Sequence, residues 1–151
     1  MKSSLVRTVA VTMGMLGVVS CSSLVGPRAE LAEARVRWSE RGPSSYVMTI
    51  VRSCECTPQM TGPVIVTVQN DVIVSRIYRN SGAAVDANHA SLFPAVDGLF
   101  DSIASLQGQN PHEIDVDYDA SLGYPVMISV DVHKDYVDDE FTVRISSFTT
   151  N

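Results

Sequence analysis

The chain has 151 residues, three cysteines and a formal net charge of -6 at pH 7. A length of this order suits one domain rather than several. The acidic balance argues against a nucleic-acid partner, because a negative surface repels phosphates. We therefore expect no nucleic acid among the partners of this protein.

The first twenty residues have the pattern of an export signal. Lys2 and Arg7 supply a positive start, and the run from Val9 to Val19 is apolar apart from Thr12. This run is shorter than the roughly 20 apolar residues that cross a bilayer, so it is not expected to remain as a transmembrane helix. The sequence predicts a signal peptide over residues 1–20.

Cys21 directly follows this run. The segment Val18-Val19-Ser20-Cys21 resembles the lipobox of bacterial lipoprotein precursors. The resemblance implies cleavage before Cys21 and lipidation of its thiol, and two or more acyl chains then give a stable anchor in a bacterial membrane. The alternative is an ordinary secretory signal with Cys21 nearby by chance. Loss of Lys2 and Arg7 with the signal changes the formal charge from -6 to -8.

A short Ser/Gly/Pro tether over residues 21–28 precedes a single α+β domain over residues 29–151. The domain begins with a predicted helix over 28–41, in which Leu31, Ala34 and Trp38 recur at helical spacing. Gly42-Pro43 ends this helix. Trp38 is interpreted as a core anchor, and ligand stacking is the alternative.

Three strand-like runs follow the first helix. Alternate apolar residues share one side of residues 46–53, where they are Tyr46, Met48 and Ile50, and of residues 64–68, where they are Val64, Val66 and Val68. Residues 72–78 are rich in β-branched side chains. Asn70-Asp71 is a plausible hairpin turn because both residues tolerate a positive φ. The polar stretch 80–90 is predicted to be a loop.

The helix and three strands then recur. Pro94 begins a helix with an apolar stripe that Gly108 closes, and strands are predicted over residues 113–119, 125–132 and 140–148. The order α-β-β-β-α-β-β-β indicates the α+β class: an antiparallel sheet of about six strands with two helices on one face.

Cys54 and Cys56 remain after lipidation. In an oxidising compartment such a pair predicts a disulfide, and the small loop would pin a strand end or a tight bend. A redox couple or half of a metal site are the alternatives. We assign no cofactor.

Two acidic clusters are the remaining candidate sites. Asp115, Asp117 and Asp119 alternate along a predicted strand, so all three are expected on one face, where they could bind calcium. The other interpretation is a solvated strand face, and the spacing is not that of an EF-hand. The second cluster, at a turn, comprises Asp135, Asp138, Asp139 and Glu140, and an ordinary exposed loop is the favoured interpretation of it.

Catalytic motifs are missing from the sequence. His89, His112 and His133 are scattered, and there is neither a Gly-x-Ser-x-Gly elbow nor a glycine-rich phosphate loop. We therefore assign no catalytic, cofactor-binding or metal-binding residues and predict that the protein is not an enzyme.

Several short motifs, taken in order, resemble a bacterial lipoprotein family known as domain of unknown function 6174. They are the lipobox, Trp38, Tyr46, Cys54-Glu55-Cys56, Leu99-Phe100, Tyr118-Asp119, Gly123-Tyr124-Pro125 and Asp138-Asp139-Glu140. The resemblance extends from about Trp38 to Phe148. It implies an exported lipoprotein and no particular activity.

The expected function is that of a lipid-anchored module of the bacterial cell envelope, facing away from the cytoplasm. Its partners are the membrane, through the lipid on Cys21, and an envelope protein or peptide. The alternative is a calcium-dependent or hydrolytic activity at the acidic strand and turn.

Overall fold

The computed structural model describes residues 26–136 and 138–150. The predicted signal peptide, the lipidation site Cys21 and the tether up to residue 25 lie outside this part of the chain. Among the residues described, no helix has both the length and the apolar character needed to cross a membrane.

Six strands and three α-helices make up the described chain, and the α+β class is confirmed. In chain order the elements are α1 Pro27–Arg41, β1 Tyr46–Ser53, α2 Pro58–Thr61, β2 Val64–Gln69, β3 Val72–Tyr78, a 3-10 helix Ala87–Leu92, α3 Val96–Gln109, β4 Glu113–Tyr118, β5 Pro125–Asp131 and β6 Phe141–Thr150. The short α2 was not predicted. Nor was the 3-10 helix, which occupies part of the expected loop and begins where the Asp86 carboxylate accepts the Asn88 N–H at 2.8 Å.

All six strands join one antiparallel sheet in the order β3-β2-β1-β6-β5-β4. The first strand in the chain therefore pairs with the last at the centre, and β3 and β4 are the two edges. The predicted hairpin between β2 and β3 is confirmed, since Asn70 and Asp71 have φ values of 49° and 64°.

One face of the sheet packs against α1 and α3 and contains the core. Alternate residues of the inner strands point to this face, as the strand period of two requires. Its fully or nearly buried strand residues are Tyr46, Met48, Ile50, Val64, Val66, Val68, Ile128, Val130, Val143 and Ile145. The helices contribute Leu31, Ala34, Trp38, Val96, Leu99, Phe100 and Ile103.

Aromatic rings join α1 to the centre of the sheet. Trp38 meets Tyr46 edge to face at 5.5 Å between centroids and Phe148 at 6.1 Å, so its role as a core anchor is confirmed. The buried Tyr46 hydroxyl accepts the Val96 N–H at 3.0 Å and so occupies a free donor at the start of α3. Burial raises the pKa of Tyr46 to about 12. One side chain therefore positions both helices.

The predicted end of the second helix at Gly108 is wrong. Helix α3 continues to Gln109, and Asn110 ends it with a left-handed φ of 56°. Asparagine is the residue after glycine that most readily adopts this conformation. The buried side chain of Gln107 donates to the Pro27 carbonyl at 3.1 Å, which ties this last turn to the start of α1.

Gly123 allows α1 to approach the turn before β5. Its φ is +86°, and a Cβ placed there would lie 2.5 Å from the Ala34 carbonyl oxygen. Gly82 is a matched control, because its φ is +70° and nothing lies within 4 Å of such a Cβ.

We predict that Gly123→Ala costs much more stability than Gly82→Ala. The left-handed φ alone costs about 1 kcal/mol in either variant, and only at Gly123 must the backbone of α1 also move. Urea denaturation of both variants measures the difference in the free energy of unfolding. Equal losses would contradict the close packing of α1 on this turn.

Candidate functional site

The sheet face opposite the helices is the main surface that the fold leaves uncovered among the described residues; we call it the open face. The strand period and the register assign its residues. They are Val47, Thr49, Val51 and Ser53 of β1, Ile65 and Thr67 of β2, Ser75 and Ile77 of β3, Glu113, Asp115 and Asp117 of β4, Met127, Ser129 and Asp131 of β5, and Thr142, Arg144, Ser147 and Thr149 of β6.

The two halves of the open face differ in charge. The half formed by β1, β2 and β3 carries uncharged β-branched and hydroxyl side chains, and some of these are hydrogen-bonded to hydroxyl groups of the neighbouring β6. Ser147 Oγ, for example, donates to Thr49 Oγ1 at 2.8 Å. The half towards β4 carries the acidic residues. An uncharged surface thus adjoins a negative one.

A groove of about 580 Å³ occupies the acidic half; we call it the acidic groove. Its walls include five carboxylates and no lysine or arginine. The residues that line it are Ser53, Cys54, Glu55, Glu113, Asp115, Met127, Ser129, Val130, Asp131, Glu140, Phe141 and Thr142. Strands β1, β6, β5 and β4 all contribute to it, so the groove depends on the pairing of β1 with β6.

Positive groups near the acidic groove compensate little of its charge. His112 Nε2 lies 4.0 Å from Asp131 Oδ2. Arg144 donates instead to the Met127 sulfur at 3.2 Å. The second oxygen of Asp131, Oδ1, is enclosed and has no hydrogen-bond partner in the described part of the chain. The groove is therefore an electronegative surface whose lining side-chain donors are uncharged hydroxyl groups.

The disulfide Cys54–Cys56 lies at one wall of the groove, in keeping with the predicted pairing. The two Cα atoms are 5.3 Å apart, and the Cys56 N–H donates to the Cys54 carbonyl at 2.9 Å. The bend follows the end of β1 and places Glu55, between the cysteines, on the groove.

The expected row of three aspartates is wrong for Asp119. Strand β4 ends at Tyr118, with an irregular register after Asp117. The Asp119 carboxylate instead caps the following turn by accepting the N–H groups of Ser121 and Leu122 at 3.0 and 2.7 Å. Asp115 and Asp117 stay exposed on the open face.

Two residues of the second acidic cluster, Asp139 and Glu140, make contacts in different places. Asp139 Oδ2 lies 2.6 Å from His133 Nδ1, whereas Glu140 lines the acidic groove. His133 also meets the ring of Tyr136 edge to face. Within residues 26–136 and 138–150, no three His, Cys, Asp or Glu side chains form a group that could hold a metal ion.

The arginines of α1 contact other parts of the domain. Arg28 donates to the Gln107 carbonyl at 3.4 Å, and Arg35 pairs with Asp101 at 2.9 Å. Arg37 reaches the carbonyl of Asp119 at 3.5 Å. These cationic side chains hold α1 against α3 and the turn before β5, on the side of the sheet away from the acidic groove.

These features describe an α+β protein with a one-sided core and an acidic groove on its open face. The family of unknown function DUF6174 matches residues 30–150, and the chain belongs to this family. The resemblance seen in the sequence motifs is thereby confirmed for the family. No curated protein and no solved structure matches the chain at a significant level.

We predict a small effect on stability when the disulfide is removed. Because the loop contains only three residues, Cys54→Ser with Cys56→Ser should lower the free energy of unfolding by about 1.6 kcal/mol or less. Urea denaturation measures this loss, and alkylation without a reductant measures free thiols. A loss above about 4 kcal/mol, or complete alkylation of the unreduced chain, would contradict the prediction.

Proposed function

We propose that this protein is a bacterial lipoprotein, anchored through Cys21, that binds an envelope protein or peptide on its open face without catalysing a reaction. The open face carries the proposal: it offers a sheet surface with a groove of about 580 Å³ that no other described element covers. Antiparallel sheets commonly leave one face to solvent, so exposure alone does not indicate binding. The groove in this face and its negative charge are the features that favour binding.

The position of α1 is compatible with anchoring. Helix α1 begins at Pro27, six residues after Cys21, and six extended residues span at most about 20 Å. Pro27 in turn contacts Gln107 at the end of α3. A lipid on Cys21 would therefore hold the domain close to the membrane by this end.

Lipidation is the first part of the proposal to test. The chain should incorporate radiolabelled palmitate when expressed in a bacterial host, and Cys21→Ser should abolish the label, because the thiol is the only acceptor that the lipobox provides. Labelling is read after denaturing electrophoresis. A label retained by Cys21→Ser, or an unlabelled parent chain, would refute the anchor.

Crosslinking tests the binding surface separately. A photoreactive amino acid replaces Ser129 on the floor of the acidic groove, and in a second variant it replaces the exposed Ala32 of α1 as a control. We expect irradiated cells to give a discrete, recurring adduct through Ser129 and none through Ala32. The same adducts at both positions, or none at Ser129, would count against binding on the open face.

A further inference from the structure

Strand β4 is both the acidic border of the open face and an unpaired edge of the sheet. It pairs only with β5. In the described chain, residues 113–118 make no backbone hydrogen bond beyond that ladder. Every second residue of an edge strand directs its N–H and C=O outward. The edge therefore offers backbone donors and acceptors for a further strand.

The other edge of the sheet is less accessible. Ala84 bridges to Ile77 of β3, and the Val85 N–H donates to the Arg76 carbonyl at 2.9 Å. The irregular register between β2 and β3 places an extra residue, Val74, inside β3, and such bulges protect edges against pairing. The irregularity beside β4 falls at its last residue, and the extra residue there, Val126, belongs to β5. Strand addition is accordingly favoured at β4.

The charges of β4 restrict which strand can pair with it. Glu113, Asp115 and Asp117 are exposed and lie on one face with a spacing of about 6.8 Å between successive members. A second copy of β4 would bring like charges together, which disfavours self-association. Side chains on one face of an extended partner recur with the same spacing. Lysine or arginine at alternate positions would therefore match all three carboxylates.

The rest of the acidic groove favours the same partner. Glu55, Asp131 and Glu140 add negative charge within the groove. Long cationic side chains at the edge can reach towards this region, and association of such oppositely charged surfaces is electrostatically favoured.

We infer that β4 accepts a basic, extended polypeptide segment as an added strand, with alternate lysine or arginine side chains paired to Glu113, Asp115 and Asp117. The inference rests on the proposed function, because the segment belongs to the envelope partner of the open face. It adds to that function the chemistry and the conformation of the partner.

Synthetic peptides test the inference on the full chain in non-ionic detergent. The probe is a nonapeptide in which lysine alternates with threonine or valine. A peptide of the same composition with its lysines in one block is the control for spacing, and a glutamate version is the control for charge. We expect the alternating lysine peptide to bind about tenfold more tightly than the block peptide and the glutamate peptide not to bind.

Matched variants distinguish the effect of the three carboxylates of β4 from the effect of the protein's overall negative charge. Neutralising the row with E113Q, D115N and D117N should weaken binding about tenfold, as expected for three exposed ion pairs. Neutralising three exposed helix acids with E33Q, E40Q and D97N removes the same formal charge and should change affinity less than twofold. Equal losses in both triple variants would overturn the inference.

Hydrogen exchange of the unmodified chain checks strand addition without any substitution. Bound alternating peptide should slow amide exchange in residues 113–118 and leave β3 unchanged. Unchanged exchange in β4, or equal binding of alternating and block peptides, would overturn the inference. A partner captured through Ser129 that lacks a basic segment would also overturn it, while the proposed function would stand.

Discussion

The pairing of β1 with β6 is the interaction on which the rest of this structure depends. It joins the first strand to the last over eight residue pairs and connects two three-stranded halves into one sheet. Without it, Glu55 after β1 would have no reason to lie near Glu140 and the acidic residues of β4, which are joined through β5 and β6. The acidic groove is therefore a product of long-range strand pairing.

The one-sided arrangement of the helices determines where interactions can occur. The helix face uses its polar groups internally: Tyr46 holds the start of α3, and Gln107 holds the start of α1. The open face combines a neutral half, in which hydroxyl groups satisfy one another, with a negative half that has few donors. A partner gains most by supplying positive charge to the second half.

Local sequence patterns predicted most of the fold. The apolar period of α1, the alternation in β1 and β2 and the Asn70-Asp71 turn are each decided by residues close in sequence. Where several residues could end an element, prediction failed: Gly108 continues α3 and Asn110 ends it. Asp119 was assigned to a strand because the alternation of charges extends one residue further than the strand geometry does.

The candidate site was predicted only in parts. The sequence showed an acidic strand, an acidic turn and a cysteine pair as three separate features, and nothing local indicates that Asp115, Glu140 and Glu55 line one groove. Strand order decides this, and strand order depends on contacts between residues 89 to 104 positions apart. The sequence signal that could have suggested the groove is that the acidic strand, the acidic turn and Glu55 all carry negative charge.

The late position of β6 in the chain has a consequence for biogenesis. A polypeptide that emerges from its amino end makes β1 early, but the central neighbour of β1 arrives only after every other strand. Until then β1 has a free inner edge and the core lacks Val143 and Ile145. Non-local contacts of this kind delay folding, so the complete sheet and its core can form only after the last strand has been synthesised.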